Sequence, residues 1–386
     1  MKVLLLSMDF TVPGMHGGSS HVEGVVRALN ALGHEVFLFT RKECGSAEWA
    51  DQALLHPYYL PFARIGLVRM AQYWMYAFLG ALWLSWTKGI DLVWERSRPF
   101  GGAGIQTATI LHKKSVFELN EPLLYTFAAP AESLKYKVMA RLLGSAARRA
   151  SVVVATHSCM VEGLKPKKVD LTDWGADPEL FAKGPHADTI RKAHGLVKGK
   201  TALYMGSLRS WHALRETLNA FSLVIEKEPQ AKLLFFGQGE LSVQCDQWIA
   251  EFHLQGHVKK IPCVPHREDL SAFIHAADVC LALYNRNFEW FKKLDYFYSP
   301  IKVHEYKACG KPVVASDLGN LRKLVADGKN GFLVNEQDAQ ETADAILKLL
   351  RNPALRKKMG AFNQKEVREK YAWKALVQKT LSLLQE

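Results

Sequence analysis

A short stretch near residue 300 carries the side chains best placed to do chemistry. Ser299-Pro300 has the serine and proline typical of the first positions of a helix, and Gly310 stands where a glycine usually ends one. Lys302 falls in the first turn of this predicted helix, where unpaired N–H groups and the helix dipole favour a phosphate. Glu305, one turn later, could accept hydrogen bonds from a pair of sugar hydroxyls. The same spacing fits a solvated amphipathic helix with a Lys–Glu pair, and the spacing alone favours that structural explanation.

A glycine-rich loop near the N-terminus is a second candidate phosphate site. The predicted strand at 2–7 runs into a loop with Gly17 and Gly18, and the helix that follows has apolar residues every three or four positions. Such loops present N–H groups at a helix N-terminus, although many glycine turns are purely structural. His21 falls on the first helical turn, where a surface or capping role is more common than catalysis.

Two further predicted strands in the N-terminal half, at 91–96 and 115–122, have polar ends. Folds that alternate strands and helices place ligands at the carboxyl ends of parallel strands. Asn120 and Glu121 lie at such an end, so they are candidate substrate contacts. A purely structural role is an equally good explanation for both.

The order of predicted elements sets the architecture. Strands and helices alternate up to a strand at 151–158, and the pattern repeats with strands at 202–205, 232–236, 258–262, 279–284, 312–316 and 332–334. This repetition predicts an α/β protein with two doubly wound, Rossmann-like sheets that face each other across a cleft. Glycine, proline and polar residues cluster at 175–195, where we place the domain boundary.

The composition is that of a globular protein from a reducing compartment. Of the 386 residues, 48% are hydrophobic and 23% are charged, which is ordinary for two or three globular domains. The six cysteines are scattered without a C-x2-C pair, which argues against a zinc site or a disulfide framework. The apolar run at the N-terminus is too short for a signal peptide, so we expect a cytoplasmic protein.

The formal net charge of +12 is unevenly distributed. Residues 51–150 contain 12 basic and 6 acidic side chains, and residues 351–386 contain 9 and 3. Such excesses attract anionic membranes or nucleic acid, and no nucleic-acid-binding motif is present. A membrane is favoured because the basic residues near 60–90 flank an aromatic segment, 57–87.

The aromatic segment admits two explanations. Its uninterrupted apolar core of ten residues, 75–84, is too short to span a bilayer, which takes about 20. A core helix of the N-terminal domain is slightly favoured. An interfacial helix with tryptophans at headgroup depth is the sharper alternative, and it would suit a membrane-located acceptor.

The stretch 299–334 as a whole resembles the nucleotide-sugar-binding region of retaining glycosyltransferases of the GT-B fold, family 4. Members of that family carry S-P-x-K-x-x-E-Y, then G-K-P-V-V-A-S, then an acidic-Gly…Asn-Gly turn, which is present here at 327–331. The family's Glu-x7-Glu pair is half present, because Glu305 matches its second glutamate and Phe297 occupies the first position. The glycines at 17–18 and the G-H-E-V at 33–36 resemble the family's first loop and the sequence that follows it. The segment 173–181 resembles the family's inter-domain signature.

The resemblance implies a set of donor-site residues. Lys302, Glu305 and Arg209 would be the catalytic residues, with Glu305 on the ribose hydroxyls and Arg209 replacing an arginine that the family has two positions earlier. An arginine fork with a lysine point charge suits a diphosphate, although Arg209 could also be a surface residue beside Trp211. The remaining donor contacts implied are Gly17, Gly18, Gly206, His212, Val264, Arg267, Ser299, Pro300 and Ile301.

The resemblance also implies where an acceptor would bind. In the family, the strand that corresponds to 115–122 often delivers an active-site histidine, and here Asn120 and Glu121 occupy that neighbourhood. These two residues and, as a minority view, His21 are therefore the acceptor-side candidates.

The implied activity is transfer of a hexosyl unit from a nucleoside diphosphate sugar to a sugar or lipid-linked hydroxyl acceptor, with retention of anomeric configuration. Assembly of cell-surface polysaccharide or glycolipid is the implied setting, at the inner face of the membrane. We expect no metal and no cofactor, because cations and helix N-termini can stabilise the leaving diphosphate and no D-x-D triplet occurs. The alternatives are a sugar-nucleotide epimerase of the same fold and a basic, non-enzymatic binding protein.

The predicted domains are an acceptor-side domain at 1–180, a nucleotide-sugar-binding domain at 181–361 and a C-terminal helix at 362–386. In this family the last helix commonly crosses back to the first domain. We therefore expect both basic regions to lie on that domain.

Overall fold

The computed structural model describes residues 1–14, 17–42, 53–63, 66–98, 101–122, 134–262 and 267–385. The chain forms two compact units: unit 1 is Met1–Trp174 together with Trp373–Glu386, and unit 2 is Gly175–Ala372. The chain thus leaves unit 1 after Trp174 and returns to it at Trp373.

Unit 1 is built on a sheet of seven parallel strands in the order β3-β2-β1-β4-β5-β6-β7. These strands are β1 (Lys2–Ser7), β2 (Glu35–Arg41), β3 (Leu55–Leu60), β4 (Leu92–Arg96), β5 (Lys114–Glu118), β6 (Val152–Ala155) and β7 (Val169–Leu171). The helices are α1 (Gly17–Ala31), α2 (Gly66–Lys88), α3 (Ala103–Ile110) and α4 (Leu134–Arg149), with a 3₁₀ turn at Ser158–Met160.

The central strands of unit 1 read as near-continuous apolar runs because both faces of the sheet are covered. In β1 every residue after Lys2 is buried, and Val152–Ala155 is buried throughout. Helix α2 packs one side of the sheet with Tyr73, Ala77 and Ala81 against Leu4 and Phe37.

Unit 2 is built on a sheet of six parallel strands in the order β10-β9-β8-β11-β12-β13. These strands are β8 (Thr201–Met205), β9 (Lys232–Phe236), β10 (Val258–Ile261), β11 (Val279–Ala282), β12 (Val313–Ser316) and β13 (Gly331–Val334). The helices are α5 (Pro178–Ala182), α6 (Ala187–His194), α7 (Leu214–Lys227), α8 (Ser242–Glu251), α9 (Arg267–Ala276), α10 (Glu289–Leu294), α11 (Ile301–Ala308), α12 (Leu321–Leu324), α13 (Ala339–Arg351) and α14 (Pro353–Glu366). A π-helical turn, Val367–Tyr371, ends the unit.

The C-terminal helix α15 (Trp373–Leu383) belongs to unit 1, which confirms the predicted return of the last helix to the first domain. It packs on α1, where a Cβ at Gly24 would lie 2.3 Å from the indole nitrogen of Trp373. Lys379 Nζ and Thr380 Oγ1 both bind the buried carboxylate of Asp170, at 2.6 and 2.7 Å. Glycine at position 24 and the Asp170 contacts therefore hold this helix on unit 1.

The predicted fold class, two doubly wound Rossmann-like sheets, is confirmed unit by unit. In each sheet the strand order reverses direction next to the first strand. The reversal lies between β1 and β4 in unit 1 and between β8 and β11 in unit 2. The sequence missed two edge strands, β3 and β7. β3 contains Pro57 and is only half-buried, and β7 has three residues, so neither gives a clear apolar run.

The expectation that both basic regions lie on unit 1 was wrong. Most of the basic residues at 351–386 precede Ala372 and so lie on unit 2. The physical reason is that the chain returns to unit 1 only at Trp373, eleven residues later than the predicted boundary at 362.

The four described cysteines, Cys159, Cys245, Cys280 and Cys309, are free thiols, as their scattered spacing predicted. No helix within the described ranges is both long and apolar enough to cross a bilayer.

Candidate functional site

The candidate residues lie at the carboxyl ends of the strands in each unit. In unit 1, Asp9 follows β1, Arg96 ends β4 and Glu118 ends β5. In unit 2, Gly206 follows β8 and Tyr284 follows β11. The carboxyl ends of strands beside a reversal of strand order are where open α/β sheets bind ligands.

Lys302 is the most unusual residue of unit 2. It lies on α11, is 8% exposed, and its Nζ has no hydrogen-bond partner among the described residues. The ammonium lies over the rings of Tyr204 and Tyr284, 4.9 and 4.6 Å from their centroids. Burial lowers the pKa of Lys302 to about 7. A desolvated cation held only by ring faces is poised to gain an anionic partner.

Gly206 and His212 complete a small group around Lys302. Gly206 has φ of +153°, and a Cβ there would lie 3.2 Å from Lys302 Nζ and 3.6 Å from His212 Cε1. His212 is buried and its Nδ1 has no partner in the part of the chain that the structure describes. Burial, followed by the charge of Lys302, holds the pKa of His212 well below its usual range. The structure thus assembles a lysine, a neutral imidazole and a glycine backbone beside β8.

The helix that carries Lys302 is buried along its whole length, from Ile301 to Ala308. The structural explanation, a solvated helix with an exposed Lys–Glu pair, was therefore wrong. Glu305 is 3% exposed and lies one turn after Lys302 on the same helix. The side chains of Lys302 and Glu305 are therefore both buried and do not form an exposed surface pair.

The predicted start of this helix was displaced by one residue. The helix begins at Ile301 with Pro300 at the N-cap, and no side chain caps it. Ser299 does not cap because its hydroxyl lies 3.2 Å from Nε2 of His304. Gly310, with φ of +68°, follows the helix end as predicted.

Arg209 is not part of the Lys302 group. Its side chain is 46% exposed, and its guanidinium binds Glu240 at 3.1 Å and lies 5.6 Å from the ring centroid of Trp211. Its role on a diphosphate stays a prediction. Val264 lies outside the described residues, as does the side chain of Arg267.

Glu118 is the centre of a buried polar cluster in unit 1. Its carboxylate binds Arg96 Nη1 at 2.6 Å, His21 Nε2 at 2.8 Å and Trp94 Nε1 at 3.1 Å. Burial raises the pKa of Glu118, but the charges and hydrogen bonds around it prevail and lower that pKa to about 2. Arg96 Nε also lies 3.8 Å from Asp9. The cluster is a compact set of paired charges.

His21 is an internal residue of that cluster, so the expectation of a surface or capping role was wrong. It lies between the indoles of Trp174 and Trp373, with ring centroids at 4.8 and 5.0 Å. Burial lowers the pKa of His21 more than Glu118 raises it, so the neutral ring donates one hydrogen bond to Glu118. This arrangement gives His21 a positioning role within unit 1.

Asn120 and Glu121 differ in their surroundings. Asn120 is anchored on Ser97 through its N–H and its Nδ2, at 3.2 and 3.3 Å. Glu121 has no such anchor among the hydrogen bonds of the described residues. Burial, followed by the charge of Asp9, raises the pKa of Glu121 to about 7, against the opposing charge of Arg96.

Gly17 and Gly18 were predicted in the loop before the helix, but they are the first two residues of α1, and they differ in the space around them. A Cβ at Gly17 would meet nothing within 4 Å, whereas one at Gly18 would lie 2.2 Å from the ring of Phe10. Gly18 is therefore needed for packing, and Gly17 leaves open space at the start of the helix.

The sequence analysis did not name several buried polar residues of unit 1 as site residues, although the sequence pattern indicated two of them. Arg96 and Glu118 are the polar last residues of apolar strands, and that pattern was visible in the sequence. Glu95 gave no signal; it is buried and accepts from the N–H groups of Gly102 and Ile105, at 2.6 and 3.0 Å. Among the residues that the structure describes, no group of three or more His, Cys, Asp or Glu could hold a metal ion.

Two family models match the chain. The model of the glycosyl transferases group 1 matches residues 186–366, and that of the glycosyl transferase 4-like domain matches residues 16–173. A D-inositol 3-phosphate glycosyltransferase from Kribbella flavida is 26% identical over 256 residues, which cover 63% of this chain and 55% of the relative. The chain thus spans about half the length of the curated relatives it matches.

Solved structures resemble the whole chain. A sucrose-phosphate synthase from Thermosynechococcus elongatus has a TM-score of 0.76 at 19% identity and covers 100% of this chain and 98% of its own. HepE from Anabaena, in complex with UDP-glucose, has a TM-score of 0.72 at 17% identity and covers 100% and 99%. At these identities the likeness shows the GT-B fold.

Proposed function

Because the chain belongs to the glycosyl transferases of group 1, with a family 4-like N-terminal half, we propose that it moves a hexosyl unit from a nucleoside diphosphate sugar to a hydroxyl acceptor. The observation that carries the proposal is Lys302: a buried cation without a hydrogen-bond partner in the described residues, beside a glycine at which even a Cβ would lie 3.2 Å from the ammonium nitrogen. A diphosphate would supply the anionic partner that this lysine lacks.

In the proposed reaction, the bond between the anomeric carbon and the diphosphate oxygen breaks and a bond to the acceptor oxygen forms on the same face. The products are the glycosylated acceptor, the nucleoside diphosphate and a proton. Lys302 would neutralise charge on the departing diphosphate, where a fixed cation in a dry site is most effective. Because His212 is neutral, one of its ring nitrogens can donate a hydrogen bond and the other can accept one. Glu305 would bind the ribose hydroxyls, and no metal takes part in the proposed step.

We propose Glu121 as the acceptor contact of unit 1 in preference to His21 and Asn120. Glu118 holds His21, and Ser97 holds Asn120, whereas Glu121 keeps a carboxyl group available at the end of β5. A sugar or lipid-linked hydroxyl is the proposed acceptor, within polysaccharide or glycolipid assembly at the cytoplasmic face of a membrane.

The first experiment is thermal stability of the full chain with UDP, GDP, ADP, TDP and their sugar conjugates, in EDTA. UDP-glucose is tested first because the fold neighbour HepE holds it. A nucleotide at about 100 times its Kd should stabilise the protein by about 2.7 kcal/mol. Lys302→Ala and Glu305→Ala should each lose this effect, whereas the exposed Lys348→Ala should keep it.

Product analysis separates the proposal from the epimerase alternative. Incubation with the responding sugar nucleotide and no acceptor should leave the sugar unchanged. Appearance of an epimerised sugar nucleotide would contradict glycosyl transfer, and the absence of any nucleotide response would favour a non-enzymatic binding protein.

A further inference from the structure

Helix α2 of unit 1 is apolar on two faces, and the described residues cover only one of them. Tyr73, Ala77, Ala81 and Leu84 are buried against the sheet. The opposite face carries a stripe at helical spacing that includes Met75, Leu79 and Trp86. A surface helix normally exposes charged and polar residues to solvent. An exposed second apolar face therefore indicates a binding surface.

The exposure of this stripe is unusual within the described residues. Of the twelve large apolar side chains exposed there, five lie on α2: Val68, Met75, Leu79, Trp83 and Trp86. Trp86 is 89% exposed and Leu79 is 54% exposed. Ile110, at the end of the neighbouring helix α3, adds another exposed apolar side chain.

The stripe borders an open apolar groove. The groove has a volume of about 620 Å³ and is lined by Leu79, Leu82, Trp83, Trp86, Leu111 and Lys113. Its lining joins α2 to the turn after α3, so the apolar face is wider than one helix.

The charge around this face is basic. Neither α2 nor the stretch from 103 to 114 contains an aspartate or a glutamate, whereas Lys88 ends α2 and Lys113 lines the groove. Lys88 comes four residues after the buried Leu84, on the sheet side of α2, and it lines a pocket with Glu35, which binds His56 at 2.8 Å. The exposed Trp86 and the groove-lining Lys113 complement a lipid surface, whose interior is apolar and whose headgroups are anionic.

We propose that this face, α2 with the Leu111–Lys113 turn, docks unit 1 on an anionic lipid bilayer. Leu79 and Trp86 enter the headgroup region, and Lys113 lies at the level of the lipid phosphates. A second copy of the chain fits less well. A two-fold interface would place each basic patch against itself or its equivalent, with no carboxylate on the face to compensate. The inference rests on unit 1 alone and does not depend on the proposed donor or reaction.

The test is co-sedimentation of the full chain, without nucleotide, with vesicles of phosphatidylcholine containing 30% phosphatidylglycerol and with pure phosphatidylcholine vesicles. We expect binding to the anionic vesicles that weakens as salt rises. Lys113→Glu should lower the partition coefficient by more than about fivefold, since one lysine contributes about fivefold and the reversed charge also repels the surface. Leu79→Ser with Trp86→Ser should lower it by at least about tenfold.

Matched variants keep the test specific. Val243→Ser and Lys348→Glu change an exposed apolar and an exposed basic residue of unit 2 and should bind like wild type. All variants should keep the wild-type melting temperature, because none of the altered side chains is buried. Trp83 is left intact because it packs edge-on against Tyr58. Equal binding by wild type and the α2 variants would overturn the proposal. So would a dimer in sedimentation equilibrium that Leu79→Ser with Trp86→Ser dissociates, since it would assign the face to a second copy.

Discussion

Arg96 in unit 1 and Lys302 in unit 2 are both buried cations at the carboxyl ends of parallel sheets. Arg96 has a carboxylate 2.6 Å away in Glu118 and a second one, Asp9, at 3.8 Å. Lys302 has aromatic faces around its ammonium and no hydrogen-bond partner in the described residues. Taking a charge out of water is costly, and a partner within the protein offsets that cost.

Arg96 and Lys302 thus differ in whether the protein itself supplies a charged partner, and this difference indicates two different roles for a buried charge. In unit 1 the charge is compensated at folding, so the Glu118 cluster holds together the ends of β4 and β5 and the start of α1. In unit 2 the compensation is missing, so the free protein carries a cost that a bound anion would relieve. We infer that the first cluster mainly stabilises and the second mainly binds, and the following variants test that distinction.

The largest effect is expected where compensation is broken. Glu118→Gln leaves the buried Arg96 with only the more distant carboxylate of Asp9, at 3.8 Å, and should lower the free energy of unfolding of unit 1 by about 3–5 kcal/mol. The matched control is Glu240→Gln, which removes the exposed carboxylate from Arg209 and should cost less than about 1 kcal/mol. Calorimetry of the two variants measures the difference. Similar losses for both would mean that the unit 1 pair is not effectively buried.

Lys302→Met should have the opposite effect on the ligand-free protein. It removes an uncompensated charge and keeps the shape of the chain, so the melting temperature without ligand should rise. Nucleotide affinity should fall by about 10²–10³-fold, the usual cost of losing one preorganised group that stabilises charge. Lys348→Met is the control for a solvent-facing lysine of the same unit. A variant that is less stable without ligand would show that Lys302 is structural.

The pH dependence should follow from the lowered pKa of Lys302. Because that pKa is about 7 in the folded protein and 10.5 ordinarily, the unfolded chain binds more protons between these values, and stability should rise with pH across them. Nucleotide affinity should instead fall above pH 7, by up to about tenfold per unit, because binding must take up a proton. Calorimetric titrations at pH 8 in two buffers of different ionisation enthalpy measure this uptake. Lys302→Met should show neither dependence; if it keeps both, another group is responsible.

Glu121→Gln should affect the acceptor more than the donor. The pKa of Glu121 is about 7 in the folded protein and 4.5 ordinarily, so the folded chain binds more protons between these values; stability should therefore fall as the pH rises from 4.5 to 7, and the variant should lack that loss. Acceptor KM should rise by about tenfold, as expected for one lost hydrogen bond to a charged group, with donor KM unchanged. Asn120→Asp serves as a neighbour control. A change confined to donor KM would contradict an acceptor role.

Arg209→Ala should have the smallest effect. The exposed pair with Glu240 contributes less than about 1 kcal/mol, so stability should hardly change. Nucleotide affinity should fall by less than in Lys302→Met, because the guanidinium already has a carboxylate partner. Isothermal titration with the responding nucleotide decides this. An equal or larger loss would support the sequence prediction that Arg209 clamps the diphosphate.

The sequence by itself determined most of the fold, because the relevant signals are local. Apolar runs with polar ends marked the strands that are buried on both faces, and Gly310 and Gly33 marked helix ends. The order of residues from Ser299 to Val334 was enough to single out Lys302 and Glu305. Strands without a continuous apolar run, such as Leu55–Leu60, escaped notice because edge strands need not be apolar.

Only the tertiary structure decided which of the candidate residues share a site. Lys302 acquires its shifted pKa from burial beside Tyr204 and Tyr284, which lie on or after different strands and meet it only because β8 and β11 are neighbours. His21 and Glu118 are likewise brought together by the reversal of strand order beside β1. The ion pair of Arg209 with Glu240 and the exposure of the outer face of α2 also depend on tertiary contacts that the sequence does not show. Hydrophobic periodicity and sequence motifs describe a residue's neighbours along the chain. Desolvation and charge pairing depend instead on its neighbours in space, which only the tertiary structure shows.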